Sequence, residues 1–571
     1  FKGDGSSGPN DCCAMWTKAF HLWNNGGANM FATYGGTGGQ IINFGETINS
    51  EITGDGVTIA IVDEGLELAH EDLSDNIVSG SWDFVDADND PTNPALDGDH
   101  GTSVAGLAAA VGWNDKGVMG VAPEASLIGY NFLLNQSTSN QLQSWGSSPP
   151  VAVDVDIYNL SYGTGLSNDL YSFPQYTSTT LEAGLKSGVE TLRDGKGAIY
   201  IKSAGNNHTD SDNWASNNTS VCGSNTGVNE MGYLSCAYSV ADSSHALPYM
   251  IVVGALNSFG GKASYSTTGS SLWISSYGGE TGLNKDYVTE SGYPSYYHYP
   301  AMVTTDQSGC SAGYVGTNSG RIQYNLFEDH SDSTEWNPGC NYTSTFNGTS
   351  SAAPLVSGTV ALMLEANPNL TWRDVKHILA TTAKKIYAAD GYMTVDSFEL
   401  QGITQYEWTT NAAGYKFHPW YGFGRLDADA AVNEAKTYTA NSLGTFVTSG
   451  YQSSTVNATF VDLGTTTHSI AVSAPSGSNN NVEFVRISIN LDHEVPSSVG
   501  IRLQSAEGTL INLLPPYSNV VGNPKNYYFE LGANAFYGED MGGTWTIQFI
   551  DYVSDNVSGT LNTWGIEVYG N

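Results

Sequence analysis

Three short segments carry side chains whose types suit nucleophilic catalysis. Ile61-Val-Asp63-Glu64-Gly65 sets an aspartate at the carboxyl end of an apolar run, and His100-Gly-Thr-Ser-Val-Ala-Gly106 opens a small-residue helix with a histidine. Asn347-Gly-Thr-Ser350-Ser-Ala-Ala-Pro354 places a serine at a glycine turn into another helix. Singly, Asp63 reads as a strand-end turn residue, His100 as a helix start and Ser350 as an N-cap. Together they supply a carboxylate, an imidazole and a hydroxyl, the set that makes a serine nucleophilic: the imidazole takes the hydroxyl proton and the carboxylate steadies the imidazolium. A serine at a helix N-terminus also brings its own N–H and the positive dipole end to where negative charge develops. A fourth segment, Ser203-Ala-Gly-Asn206, follows another apolar run and offers the Asn206 amide as a donor to an oxyanion.

These residues need a rigid frame, and the pattern from about Asp55 to Ala435 supplies one. Short continuous apolar runs at 57–62, 126–132, 155–160, 198–203 and 250–255 alternate with helical stretches at 100–111, 349–366 and 371–384. That alternation predicts an α/β domain whose mainly parallel sheet is flanked by helices. Beyond about Thr439 helical periodicity fades. Short alternating strands such as 483–491 and 543–550, punctuated by Gly, Ser, Asn and Pro, predict an all-β sandwich. The expected division is 1–440, with 1–53 as an N-terminal extension, and 441–571.

Composition narrows the class of partner. The 571 residues carry 57 acidic against 20 basic side chains, a net charge of −37. Scarce Lys and Arg disfavour nucleic acid and anionic membranes, both of which require basic clusters. The same balance suits cationic substrates and bound Ca²⁺. No apolar run is long enough to span a bilayer. Starting at Phe1 without a charged-then-apolar leader, the chain reads as a processed, secreted form. Six cysteines lack any C-x-x-C pair, which leaves zinc and thioredoxin chemistry without support. Proximity favours disulfides Cys222–Cys236 and Cys310–Cys340, with the partners of the adjacent Cys12 and Cys13 open.

The order Asp63…His100…Ser350, with its flanks and Asn206, resembles the subtilisin superfamily. Stretches 362–374 and 421–428 narrow the likeness to the kexin/furin branch, in a bacterial form, and cover Gly54 to about Ala435. Stretches 505–509, 543–547 and 558–564 resemble the P (Homo B) domain that follows convertase catalytic domains. The resemblance implies a serine endopeptidase with Asp63, His100 and Ser350 as its triad, Asn206 as oxyanion donor, and Ser161-Tyr162-Gly163 pairing with an extended peptide. It also implies a preference for basic residues, paired ones included, before the cleaved bond: the acidic positions facing the penultimate residue fall on Glu64 and Asp97, and one facing the last residue falls on Asp242. The chain departs from the branch in three places. The stretch 164–169 lacks the expected acidic run, Val104 replaces a cysteine, and Thr267 replaces a glutamate of a third calcium site.

For calcium, the resemblance implies a structural role at two or more ions. Asp83, Asp88 and Asp90 repeat the spacing of one site. A second takes Asp72, the Asn114 side chain and the carbonyls of Val111, Lys116 and Val118, with Asp11 the nearest N-terminal aspartate. Expected partners are protein or peptide substrates and a propeptide or dedicated folding chaperone, with neither nucleic acid nor membrane insertion, and the chain is expected to act as a monomer. Two other readings compete: a broad-specificity subtilisin-type protease, and an inert adhesion protein binding through its β domain. The intact quartet of Asp63, His100, Asn206 and Ser350 argues against the second.

Overall fold

A computed structural model describes residues 19–22, 24, 26, 32, 34–98, 100–147, 155–163, 176–208, 238–284, 298–317, 327–328, 337–386, 408–516 and 527–571. The apolar runs become a seven-stranded sheet: β1 (Thr58–Asp63), β2 (Trp82–Asp83), β3 (Ser126–Asn131), β4 (Ile157–Leu160), β5 (Ile199–Ser203), β6 (Met250–Leu256) and β7 (Ile274–Tyr277). Their spatial order is β2-β3-β1-β4-β5-β6-β7, and every pairing is parallel. Nearly every residue of β1, β3, β4, β5 and β6 is buried, as expected for a sheet covered on both faces. Ligands of such sheets gather outside the carboxyl ends of the strands. Asp63 ends β1, Ser161 follows β4, and Ser203 ends β5 three residues before Asn206.

Two helices complete the frame. His100–Ala109 is two residues shorter than its pattern predicted, and Thr349–Ala366 spans its expected length. Both are buried nearly all round, because each is wedged between the sheet and its neighbours instead of facing water on one side. They pack against one another, which brings the helix opened by His100 beside the one that holds Ser350 in its first turn.

The C-terminal region forms two antiparallel sheets. One holds Val447–Thr448, Gln452–Phe460, Val482–Asp492, Tyr527–Ala533 and Gly559–Gly570; the other holds Thr465–Val472, Val499–Gln504, Leu510–Leu514 and Gly543–Asp551. Alternating burial along Gly543–Asp551 sends Trp545, Ile547 and Phe549 into the core between them. This β region is joined to the α/β region by buried charge. Arg373 Nε donates to Glu483 Oε2 at 2.9 Å, and Arg486 bridges Glu182 (2.8 Å) and Glu530 (2.7 Å). The Asn534 side chain donates to the carbonyls of Ser271 and Leu272. Fixed polar contacts of this kind, with their charges desolvated, hold one relative orientation.

No described helix is long and apolar enough to cross a membrane. Cys310 and Cys340 form a disulfide. Cys12, Cys13, Cys222 and Cys236 lie outside the described residues, as do Asp11 and the stretch 164–169.

Candidate active site

Asp63 is wholly buried at the end of β1, and its carbonyl accepts the N–H groups of Phe132 (2.8 Å) and Leu133 (3.0 Å). Its Oδ1 receives His100 Nδ1 at 2.9 Å and the Glu64 N–H at 2.8 Å. The close approach depends on Gly101. A Cβ there would stand 1.9 Å from the Gly65 carbonyl oxygen and 2.9 Å from the Asp63 Cβ, so any side chain would push the helix away from the aspartate. Glu64 Oε1 accepts the His100 N–H at 3.0 Å, satisfying one of the orphan donors at the helix start. Phe346 packs against the imidazole in a T-shaped arrangement, with centroids 5.4 Å apart.

Ser350 is held reciprocally by Ser161. The Ser350 hydroxyl donates to the Ser161 carbonyl at 3.0 Å, and the Ser161 hydroxyl donates to the Ser350 carbonyl at 3.0 Å. The second bond answers a gap in the helix. Position 354 is proline, which has no N–H for the carbonyl four residues before it, that of Ser350. Asn159 Nδ2 in turn donates to the Ser161 hydroxyl (2.9 Å), and Ser357 donates to Asn159 Oδ1 (2.8 Å), giving a buried relay from the body of the helix back to its first turn.

Asn206 is oriented by the residue next to the serine. Its Oδ1 accepts both the N–H (2.8 Å) and the hydroxyl (2.9 Å) of Thr349, turning Nδ2 toward the Gly348–Ser350 turn. Gly348 adopts φ 98°, and a Cβ there would stand 3.0 Å from Asn206 Nδ2. Glycine therefore supplies both the left-handed turn and the open approach to the amide. Tyr265 fixes this turn by accepting the Gly348 N–H at 2.9 Å.

Three further acids surround this centre. Burial raises the Glu64 carboxyl, and the charges of Asp63 and, more weakly, the exposed Asp97 add to the rise. Asp242 stands beside Gly163. Burial alone would raise its carboxyl, but the Lys202 ammonium, with His245 and the Ser244 donors, draws it well below the usual carboxylate range. Asp242 Oδ2 lies 3.3 Å from Lys202 Nζ. The loop acids Asp83, Asp88 and Asp90 are linked by turn bonds, with the Asp83 N–H donating to the Asp88 carbonyl (2.9 Å) and the Asp90 N–H to Asp88 Oδ1 (2.9 Å), but their three carboxylates do not gather into one cluster. Asp72 meets the loop after the His100 helix. Its carboxylate accepts Asn114 Nδ2 (2.7 Å) and the Val118 N–H (2.9 Å), its carbonyl accepts the Val111 N–H, and the Lys116 N–H donates to Asn114 Oδ1 (3.0 Å). In the β region, Asp462, Asp551 and Asp555 each bring an oxygen within 4.8 Å of the others.

Residues 54–424 match the subtilase family. The chain is a subtilase. Residues 482–568 of this subtilase match the proprotein convertase P-domain. It is 32% identical to an extracellular serine protease of Aeromonas sobria, over 94% of this chain and 83% of that one. It is 28% identical to kexin of Saccharomyces cerevisiae over 93% of this chain, spanning about half (54%) of that protein. The solved serine protease of Aeromonas sobria superposes with a TM-score of 0.82 at 29% identity, covering 100% of this chain and 99% of that one. A complex of that protease with a chaperone gives 0.81 at 28% identity, covering 100% and 98%. The subtilase is thus a serine endopeptidase of the subtilisin type, kexin-like in carrying a P domain.

Sequence reading missed Thr349, Asn159 and Lys202. Thr349 stands inside the quoted serine segment, yet nothing local says that it turns Asn206. Lys202 had a visible signal: it is the one charged residue in Ile199-Tyr-Ile-Lys-Ser, a strand buried at every position.

Proposed function

We infer that this subtilase is a secreted, calcium-dependent endopeptidase that cleaves peptide bonds by an acyl-enzyme route and prefers basic residues before the cleaved bond. With Nδ1 committed to Asp63, the His100 ring offers Nε2 to the Ser350 proton. The Ser350 oxygen attacks the scissile carbonyl, and the negative charge on the carbonyl oxygen is received by Asn206 Nδ2 and the Ser350 N–H. His100 passes the proton to the leaving amine, then takes one from the water that releases the acyl group. Ser161, Tyr162 and Gly163 hold the substrate backbone as an added strand.

The observation that carries this reading is the 2.9 Å bond from His100 to a wholly buried Asp63, beside the helix whose first turn holds Ser350. For basic preference, the support is electrostatic: a cationic side chain next to Glu64 and Asp97 relieves the repulsion among Asp63, Glu64 and Asp97. Calcium is supported by Asp72, a wholly buried carboxylate that no described Lys or Arg pairs. Hard oxygen donors from Asp72, Asn114, Val111, Lys116 and Val118, and from Asp83, Asp88 and Asp90, suit Ca²⁺, whose contribution would be to pin these loops. Secretion follows the extracellular Aeromonas sobria relative, and a folding chaperone or propeptide is included on the strength of the solved chaperone complex.

Two measurements test it. A fluorophosphonate should add its mass at Ser350 and abolish turnover. Peptides varied at each of the two residues before the cleaved bond should rank Arg and Lys above Leu and Phe, most steeply at the penultimate residue that faces Glu64 and Asp97. Equal rates across that panel would remove the basic preference, and an unmodified Ser350 would remove the mechanism. The broad-specificity reading keeps one observation in its favour, the Lys202–Asp242 pair.

A further inference from the structure

Among the described residues, the one atom within 4 Å of a Cβ built on the exposed Gly163 is Asp242 Oδ2, at 3.6 Å. Gly163 lies two residues beyond Ser161, whose carbonyl receives the Ser350 hydroxyl at 3.0 Å. On the peptidase reading above, the side chain preceding the cleaved bond enters here, so the charge of this corner decides what it welcomes. Asp242 does not stand there alone. Lys202, 4% exposed, places Nζ 3.3 Å from Asp242 Oδ2, donates to the Tyr162 carbonyl and lies 4.2 Å from the centroid of the Tyr162 ring. The other Asp242 oxygen caps the turn at Ser243–Ala246, accepting the N–H (3.0 Å) and hydroxyl (2.6 Å) of Ser244. Both carboxylate oxygens are therefore engaged. An ammonium in an otherwise apolar strand is costly to bury without a partner, and here the partner is the acid that a cationic substrate would need.

We propose that Lys202 is a specificity-determining residue: by pairing Asp242 it makes the corner beside Gly163 electrically neutral and weakens discrimination for Arg or Lys at the residue just before the cleaved bond. Glu64 and Asp97, paired with no described Lys or Arg, are left to read the residue before that one. The inference rests on the Ser350 peptidase reading and deepens it.

The test compares kcat/KM for two peptides identical except for Arg or Leu before the cleaved bond, in the parent, Lys202→Gln, Asp242→Asn and the double variant. Lys202→Gln keeps a donor for the Tyr162 carbonyl while removing the charge. It should raise the Arg-to-Leu ratio at least tenfold and tighten inhibition by benzamidine, a cation without a scissile bond. Asp242→Asn leaves an uncompensated ammonium and should lower the ratio severalfold. The double variant, neutral again, should return to within about threefold of the parent, a pattern that general loosening of the strand would not give. If Lys202→Gln does not fold, Lys202→Met, which keeps the stem and removes the charge, carries the test with the same expected rise in the ratio. An unchanged ratio in a variant that turns over both peptides overturns the role of Lys202. Absence of turnover in the parent, with Ser350 unmodified by fluorophosphonate, overturns the peptidase reading and this inference with it.

Discussion

Ser161→Ala should damage the enzyme well beyond the size of one hydroxyl, and the damage should depend on residue 354. The hydroxyl is buried and stands between two groups, donating to the Ser350 carbonyl at 3.0 Å and accepting from Asn159 Nδ2 at 2.9 Å. Its removal leaves both without that partner in a dry interior. At about 1–3 kcal/mol for each buried group left unsatisfied, the loss is about 2–4 kcal/mol once partial relaxation is allowed. Turnover suffers separately, because the Ser350 carbonyl belongs to the first helical turn that aims the hydroxyl, and shifts of order 1 Å cost up to about 100-fold. We expect kcat to fall about 10- to 100-fold with KM within about threefold. In Pro354→Ala, a new N–H four residues on can serve the Ser350 carbonyl. Ser161→Ala should then cost about 1–2 kcal/mol less in the Pro354→Ala background than in the parent. Urea denaturation and hydrolysis of a chromogenic peptide on all four proteins read both effects. An identical cost of Ser161→Ala in the two backgrounds would refute the link between the proline and the serine pair.

On the proposed mechanism the Asn206 amide meets charge that exists only in the transition state, so Asn206→Ala should lower kcat by about 10²–10³ with little change in KM; a kcat within threefold of the parent would place the oxyanion elsewhere. Glu328 is buried, and burial pushes its carboxyl up from 4.5 to about 7 against the opposing donors of Ser344 and Thr343. A raised carboxyl means that the folded state holds the proton more tightly than the unfolded chain. Its contribution is therefore whole below pH about 4.5 and is lost as the pH rises through about 7. Glu328→Gln should thus gain Tm relative to the parent on going from pH 5 to pH 8, and a flat difference across that range would contradict the assignment. Chelation by EDTA should lower Tm through loss of ligand linkage. Asp72→Asn should shrink that drop, whereas an undiminished drop would move the responsible site away from Asp72.

The order of strands and helices was legible because each is written locally. Continuous apolar runs of four to eight residues give strands buried on both faces, and small-residue stretches after His100 and Gly348 give helices that can sit close to the sheet. The four proposed catalytic residues were legible for a related reason: each sits at a strand end or helix start with glycine beside it, and Gly101 and Gly348 prove to be sites where a Cβ would collide with Gly65 or crowd the Asn206 amide. Proximity along the chain also sufficed for the Cys310–Cys340 pair.

What the sequence by itself determined about this protein was the inventory of reactive groups and the type of element carrying each, since both depend on neighbours a few residues away. Only the tertiary structure decided how those groups are held and what charge they face. Thr349 turns Asn206 across 143 residues, Ser161 and Ser350 brace each other across 189, and Lys202 finds Asp242 around the end of a strand. Hydrogen bonds and ion pairs act over about 3 Å of space, whatever the length of chain between the partners, so they leave no periodicity in the sequence and exist only once the sheet has brought its strand ends to one edge.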